Sequence, residues 1–370
     1  MGPTFSSLIY QKIAKPVLFQ FDPENVHSLI THLAEETGKY DLFKKFFSNF
    51  YGKRYSNLKQ NIVGIDFESP IGLAAGFDYE ARLTQILASF GFGFQTVGTI
   101  TNNSYAGNPP PRLGRLPKSQ SLMVYKGFKN DGARKASEKL SSLSFPIPLG
   151  ISVGKTNTAR LNSQKEAVSD VISAFETFER SKVKNLYYEL NISCPNLFGN
   201  VTFYPPRNLD ELLSEVDKLK IKRPIFIKMP IEKTDKESLA MLDVIVKHNI
   251  KGVIFGNVQT NRKDPALVVS EVRKFKYGNF SGKPTQKRSD ELISLCYKNY
   301  KNKLTIIGCG GIFNAEDAYR KIKLGATLVQ LITGLIYKGP FLVSEINKEL
   351  SILVKKDGFK NVKEAVGVEN

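Results

Sequence analysis

A thiol set among amides is the feature of this chain best suited to chemistry. The stretch Tyr187–Asn200 reads YYELNISCPNLFGN, with Asn191, Ser193, Cys194 and Asn196 crowded behind the apolar run from Leu186 to Leu190. Pro195 and Gly199 force a turn there. Polar side chains at the tip of a buried strand cost stability unless something uses them. A Cys in that setting suits a base or nucleophile beside a flat polar ligand. The plainer reading is a capped strand end with an inert buried thiol.

Two further groups invite a ligand. IIGCGGI (Ile306–Ile312) and LVQLITGLIYKGP (Leu328–Pro340) place Gly308, Gly310, Gly311, Thr333 and Gly334 just after apolar runs. Glycines let backbone N–H groups approach a phosphate closely, although they also close tight turns. Lys228 sits at the end of a third run, FIKMP. An ammonium at a buried strand tip needs an electron-rich partner, and a flavin ring edge is one candidate.

Composition bounds the class. With 370 residues, 41% of them hydrophobic, the chain suits one barrel of roughly 250 residues plus additions. Cys194, Cys296 and Cys309 are widely spaced and odd in number, which argues for a reducing compartment and against a disulfide framework or a zinc site. No metal is expected. No run approaches about 20 apolar residues, and the N-terminus lacks the plan of a secretory signal. The net charge of +18 is scattered, as in Lys218–Lys222 and Lys355–Lys363. A solvated surface explains it best, anionic lipid second and nucleic acid a distant third.

These groups need elements to position them. Eight buried strands are expected at Ile71–Gly76, Phe94–Gly98, Pro148–Val153, Leu186–Asn191, Pro224–Met229, Gly252–Gly256, Leu304–Gly308 and Leu328–Ile332. Helical patterns lie between most of them: Ala81–Phe90, Glu166–Arg180, Leu209–Leu219, Lys236–His248, Ser289–Tyr300 and Ala315–Leu324. This alternation predicts an α/β fold, a (β/α)8 TIM barrel, with an open doubly wound sheet as the alternative. The segments Thr99–Gly132 and Asn257–Gln286 exceed ordinary βα loops and predict a lid over the C-terminal face. Residues 1–52 read as a small N-terminal helical extension and 53–370 as the barrel, its floor plugged by a hairpin around Asn61–Ser69.

The chain resembles the dihydroorotate dehydrogenases of the membrane-associated, quinone-dependent class, nearly end to end. The motifs that carry the likeness are LFQFDPENVHSL, SPIGLAAGFD, FGFGFQTVGTIT, GNPPPRLGRLP, NISCPN, FIKMP, GVIFGN, SGKP, IIGCGGI and LVQLITGLIYKGP, in the family's order. The resemblance implies FMN as cofactor, contacted by Ala75, Gly76, Thr99, Ser152 and Asn191 and by Lys228 near the isoalloxazine. It places Gly256, Ser281 and Gly282 on the same cofactor, and Gly310, Gly311, Thr333 and Gly334 around its phosphate. It implies Asn191, Asn196 and Asn257 on a dihydropyrimidine and Cys194 as the base. His27 and Arg115 match a quinone entrance formed by the N-terminal helices. The implied activity is oxidation of (S)-dihydroorotate to orotate in de novo pyrimidine biosynthesis. The implied setting is peripheral, on the cytoplasmic face of a bacterial inner membrane or on an organelle membrane.

Several positions depart from the family pattern. Cys194 stands where the quinone-dependent class has Ser, as in the soluble class. Tyr79 replaces a Lys, Val124 an Asn, Ser152 an Asn, Ile332 a Tyr, and Leu197 and Val258 replace Thr residues. Lys126 or Lys129 is expected to restore the lost cation as a substrate-binding group, with Lys129 preferred. A different cyclic substrate, or a flavin-binding protein whose site has decayed, are the alternatives.

Overall fold

The computed structural model describes residues 4–199 and 201–370. Residues 1–3 of the expected extension, and Asn200 at the end of the Cys-bearing stretch, lie outside the described residues. Eight parallel strands close in chain order: Ile71–Leu73, Phe94–Ile100, Leu149–Val153, Tyr187–Asn191, Ile225–Met229, Gly252–Phe255, Thr305–Cys309 and Leu328–Leu331. The eighth pairs with the first, Val329 opposite Ile71, so the sheet has no edge and the open-sheet alternative falls. Strands two to six are buried along their whole length. That is why they read as unbroken apolar runs rather than alternating ones.

The barrel carries two apolar layers. One lies between strands and outer helices. The other fills the lumen floor with Phe94, Tyr187, Phe226 and Leu328, sealed by Phe67 from the hairpin Gln60–Ile62 and Ile65–Phe67. Phe67 meets Phe94 edge-on with ring centroids 5.3 Å apart. Above this floor lies a polar layer. Thr96 Oγ1 and Gln330 Nε2 donate to Glu189 Oε1 at 2.5 and 2.6 Å, and burial pushes the Glu189 carboxyl above its ordinary value.

The outer helices start where polar caps permit. Ser163 and Glu166 form a reciprocal cap on Gln164–Glu179, and Thr234 and Glu237 do the same for Asp235–Ile245. The helix expected over Ala81–Phe90 does not form. Asp78 instead accepts from the backbone amides of Arg82 and Leu83 at 2.7 and 2.9 Å. Ala81 adopts a φ of 55°, and only a 3-10 turn, Leu87–Phe90, remains. The space is taken by the N-terminal helix Asp41–Tyr51, whose Phe47 packs on Phe90 at 4.9 Å. Tertiary packing overrides local periodicity here.

The extension begins as a helical run from Phe5 to Leu18 through a π turn at Tyr10–Ala14. The helix Pro23–Gly38 follows, capped by Asp22. The extension docks through Tyr10 Oη donating to the Ile336 carbonyl at 2.8 Å and through Lys139 paired with Glu35 at 2.6 Å. Its outer face is apolar: Phe5 is 78% and Leu42 76% exposed, with Ile13, Phe46 and Phe50 also turned outward. No helix among the described residues is long and apolar enough to cross a membrane.

The two long connections fold together. Leu113–Leu116, Ser121–Val124 and Asn279–Gly282 form one antiparallel sheet with its own small core, Leu116, Met123 and Phe280 included. A cap sheet therefore stands over the C-terminal face. Below the barrel, Gly93 closes the turn into strand two so tightly that a Cβ there would run into the Ser69 carbonyl. Gly93→Ala should lower stability by roughly 1–3 kcal/mol, the usual cost of overpacking. Thermal unfolding checks this; an unchanged midpoint would contradict the packing described.

Candidate active site

Strand tips and cap sheet enclose one cavity. Ala75 and Gly76 leave strand one, Thr99 strand two, Lys228 strand five and Gly256 strand six, and all line it. Asn191, Cys194, Asn196 and Asn257 line it as well, together with Ser281, Gly282, Gly310, Gly311, Thr333 and Gly334. His27 and Lys129 reach its rim. Two expected residues do not. Ser152 is fully buried behind Thr99, the two hydroxyls 2.9 Å apart. Arg115 donates to the Phe21 and Phe19 carbonyls at 2.7 and 3.4 Å and stacks on the Phe19 ring. It staples the extension to the cap sheet and lies outside the cavity.

The loop bearing Cys194 is held by amides. Asn191 Nδ2 donates to Thr99 Oγ1 at 2.8 Å, while its Oδ1 accepts from the Ser193 N–H and hydroxyl. Asn257 Nδ2 donates to the Ser193 carbonyl and, at 2.9 Å, to its hydroxyl. Asn196 ties the same loop to the cap sheet. Its Nδ2 donates to the Val124 carbonyl at 3.1 Å and its Oδ1 accepts from Asn279 at 2.8 Å. Ser193 stands among the polar residues expected at this tip; Asn279 carries no local signal, because its pairing with Asn196 is non-local. Burial pushes the Cys194 thiol up to about 12, opposed by the Asn196 N–H and by Lys228, while Glu232 adds to the rise.

Lys228 is 5% exposed, stands opposite Asn191 in register, and makes no ion pair among the described residues. A buried ammonium costs several kcal/mol unless compensated, so its place on the cavity wall fits an electron-rich ring. Near the seventh and eighth strands, Ser281 and Thr333 bring hydroxyls within 2.8 Å, and Gly310 and Gly311 take φ of 100° and 70°. These groups fit a phosphate with donors and left-handed turns open only to glycine.

At the opposite rim, Tyr79 gathers two partners. His27 stacks on it at 5.4 Å, and Lys126 Nζ donates to its hydroxyl at 2.9 Å while sitting 4.1 Å from its ring centre. Lys129 is turned to Glu24 at 3.2 Å. Both lysines line the cavity, Lys129 paired with an acid and Lys126 with a phenol. His27 Nε2 lies 2.8 Å from the Phe77 carbonyl, which can only accept, so the neutral ring carries its proton there. Desolvation first, then Lys126, pushes His27 down to about 4.

A parallel (β/α)8 barrel with a thiol among amides, a buried lysine and glycine turns beside two hydroxyls suits the class of flavin-dependent oxidoreductases. The family model for dihydroorotate dehydrogenase matches residues 57–354. A dihydroorotate dehydrogenase (quinone) of Trichodesmium erythraeum is 31% identical over 98% of this chain and 99% of its own length. That of Sulfurimonas denitrificans is 34% identical over 97% and 99%. Among solved structures, the ligand-free DHODH of Eimeria tenella superposes with a TM-score of 0.82 at 29% identity, covering 94% of this chain and 99% of that one. The chain belongs to the dihydroorotate dehydrogenase family, in its quinone-dependent class.

That class depends on FMN, and the residues present fit it. The purified protein should be yellow, with FMN released intact by heat. Chromatography of the released cofactor checks this; FAD, or no flavin after refolding with added FMN, would contradict it.

Proposed function

We propose that this chain oxidises (S)-dihydroorotate to orotate and passes the electron pair to a membrane quinone, a step of de novo pyrimidine biosynthesis. The observation that carries the reading is the convergence of Cys194, Asn191, Asn196, Asn257 and Lys228 on one cavity. FMN, when bound, supplies the hydride acceptor. The three Asn amides orient a planar ring that offers carbonyls and N–H groups. As thiolate, Cys194 takes the C5 proton while a hydride departs from C6, leaving the C5=C6 double bond of orotate. Lys228, charged and buried, favours negative charge developing on its side of the cavity. The cap sheet excludes water from the reacting atoms.

The raised thiol sets the pH behaviour. The base is the thiolate, and burial disfavours it, so the limiting rate at saturating substrate should climb as pH rises from 7. Cys194→Ala should slow flavin reduction roughly 100-fold or more, and Cys194→Ser should keep part of the rate, more at high pH. Single-turnover reduction at an unchanged rate in the Ala variant would refute the role. Tyr79, Val124, Leu197 and Val258 favour a second reading, in which the same chemistry acts on another cyclic substrate. Orotate should perturb the flavin spectrum; a spectrum indifferent to orotate would favour that second reading.

The extension is read as a peripheral membrane module that admits quinone beside His27. Its exposed Phe5, Ile13, Leu42, Phe46 and Phe50 support this reading, since so broad an apolar face suits the acyl boundary. The reading places the protein on the cytoplasmic face of a bacterial inner membrane or on an organelle membrane. Leu42→Glu combined with Phe46→Glu should weaken binding to anionic liposomes and slow turnover with a long-chain quinone, leaving flavin reduction intact. Equal liposome binding would contradict the module.

A further inference from the structure

Three lysines, Lys126, Lys129 and Lys228, line the cavity. Lys228 faces the lumen side, beside Asn191. Lys129 shares Glu24 with Arg112, at 3.2 and 2.8 Å. Lys126 is 8% exposed, and it donates a hydrogen bond to the Tyr79 hydroxyl. No carboxylate comes within ion-pair distance of it among the described residues. Tyr79 offers no counter-charge, because burial pushes its hydroxyl well above the ordinary value and keeps it neutral. The ring lends its face to the ammonium at 4.1 Å, which steadies a cation without neutralising it.

We propose that Lys126, propped on the Tyr79 hydroxyl and ring, is the cation that holds the substrate's carboxylate. The inference rests on the proposed function above, which makes the substrate an anion. A cation propped on a neutral phenol keeps its charge for an incoming acid, whereas one paired with Glu24 is already neutralised. Two N–H bonds of the ammonium remain once one is given to Tyr79. The aromatic that carries this lysine also stacks on His27, so the anion subsite adjoins the histidine side of the cavity.

The surroundings fix a pH signature. Glu24, Lys129, Glu80 and Arg112 are the charged groups around Lys126, with Tyr79 and His27 in contact across the cluster. Desolvation outweighs the acids and brings Lys126 down to about 7. His27, near 4, and Tyr79 do not titrate in that window. An anion binds the protonated ammonium, so affinity should be full below pH 7. Above that it should fall by about tenfold per pH unit, until the bound form also loses its proton.

Orotate binding to the FMN-loaded protein, read from the flavin spectrum between pH 6 and 9, tests this. Uracil, the same ring without the carboxylate, is the neutral comparison. Orotate affinity should weaken with rising pH while uracil affinity stays flat. Lys126→Met should weaken orotate roughly 10- to 100-fold, the range of a charge-assisted hydrogen bond, flatten the pH profile and leave uracil unchanged. Lys129→Met should change orotate binding less than about threefold, as for a rim charge already paired. Adding Tyr79→Lys to Lys126→Met should restore much of the loss, because it returns a cation to the same corner. FMN content reports that each variant is folded, and the wild-type pH profile needs no variant. Orotate binding that ignores pH, or that survives Lys126→Met, overturns this inference alone. A wild-type protein that does not bind orotate overturns it together with the proposed substrate.

Discussion

The buried ammonium of Lys228 sets the terms for the barrel. A closed parallel barrel packs its lumen with side chains, so a charge inside must be answered by protein or ligand. Below Lys228 the answer is partial: Glu189 lies deeper, already sharing Oε1 with Thr96 and Gln330, and among the described residues no acid pairs with the lysine itself. The floor of Phe94, Tyr187 and Phe226 is aromatic, and the Tyr187 hydroxyl is spent on the Gln95 carbonyl at 3.0 Å. What remains is the cavity side, where the amides and the thiol loop assemble. The lumen is thus graded from apolar floor through a polar layer to a charged tip, and the tip is incomplete without a ligand.

The same constraint explains how the rim is arranged. Glu24 is the acid near Tyr79 best placed to neutralise a lysine, and it is committed to Arg112 and Lys129. Lys126 is left with a neutral phenol and no paired acid among the described residues. The N-terminal extension is therefore part of the site's electrostatics as well as its roof, because Glu24 and His27 both come from the helix Pro23–Gly38. It also occupies the place of the first outer helix, so barrel and extension share one packing solution.

Much of this was legible in the sequence, for stated physical reasons. Fully buried strands read as continuous apolar runs, and the polar residues Asn191, Cys194 and Lys228 stand out at their tips; Asn257 comes from the family likeness. Ala81–Phe90 misled because its apolar spacing is helical, while the Asp78 cap and the packing of Phe47 decide its shape. The cap sheet was hidden because strand pairing between Ser121–Val124 and Asn279–Gly282 spans far-separated segments. Lys126 and Lys129 differ only in which one finds Glu24, and no local pattern records that. Ser152 and Arg115 were placed by family likeness; the fold puts one behind Thr99 and the other on the backbone of the extension.

The central claim is that this cavity oxidises dihydroorotate through a flavin and hands the electrons to quinone. Anaerobic mixing of the FMN-loaded protein with (S)-dihydroorotate, followed by a quinone, tests it most directly. The flavin absorbance should bleach in a single exponential and return when quinone is added, with one equivalent of orotate formed. A flavin that stays oxidised in saturating dihydroorotate would contradict the account.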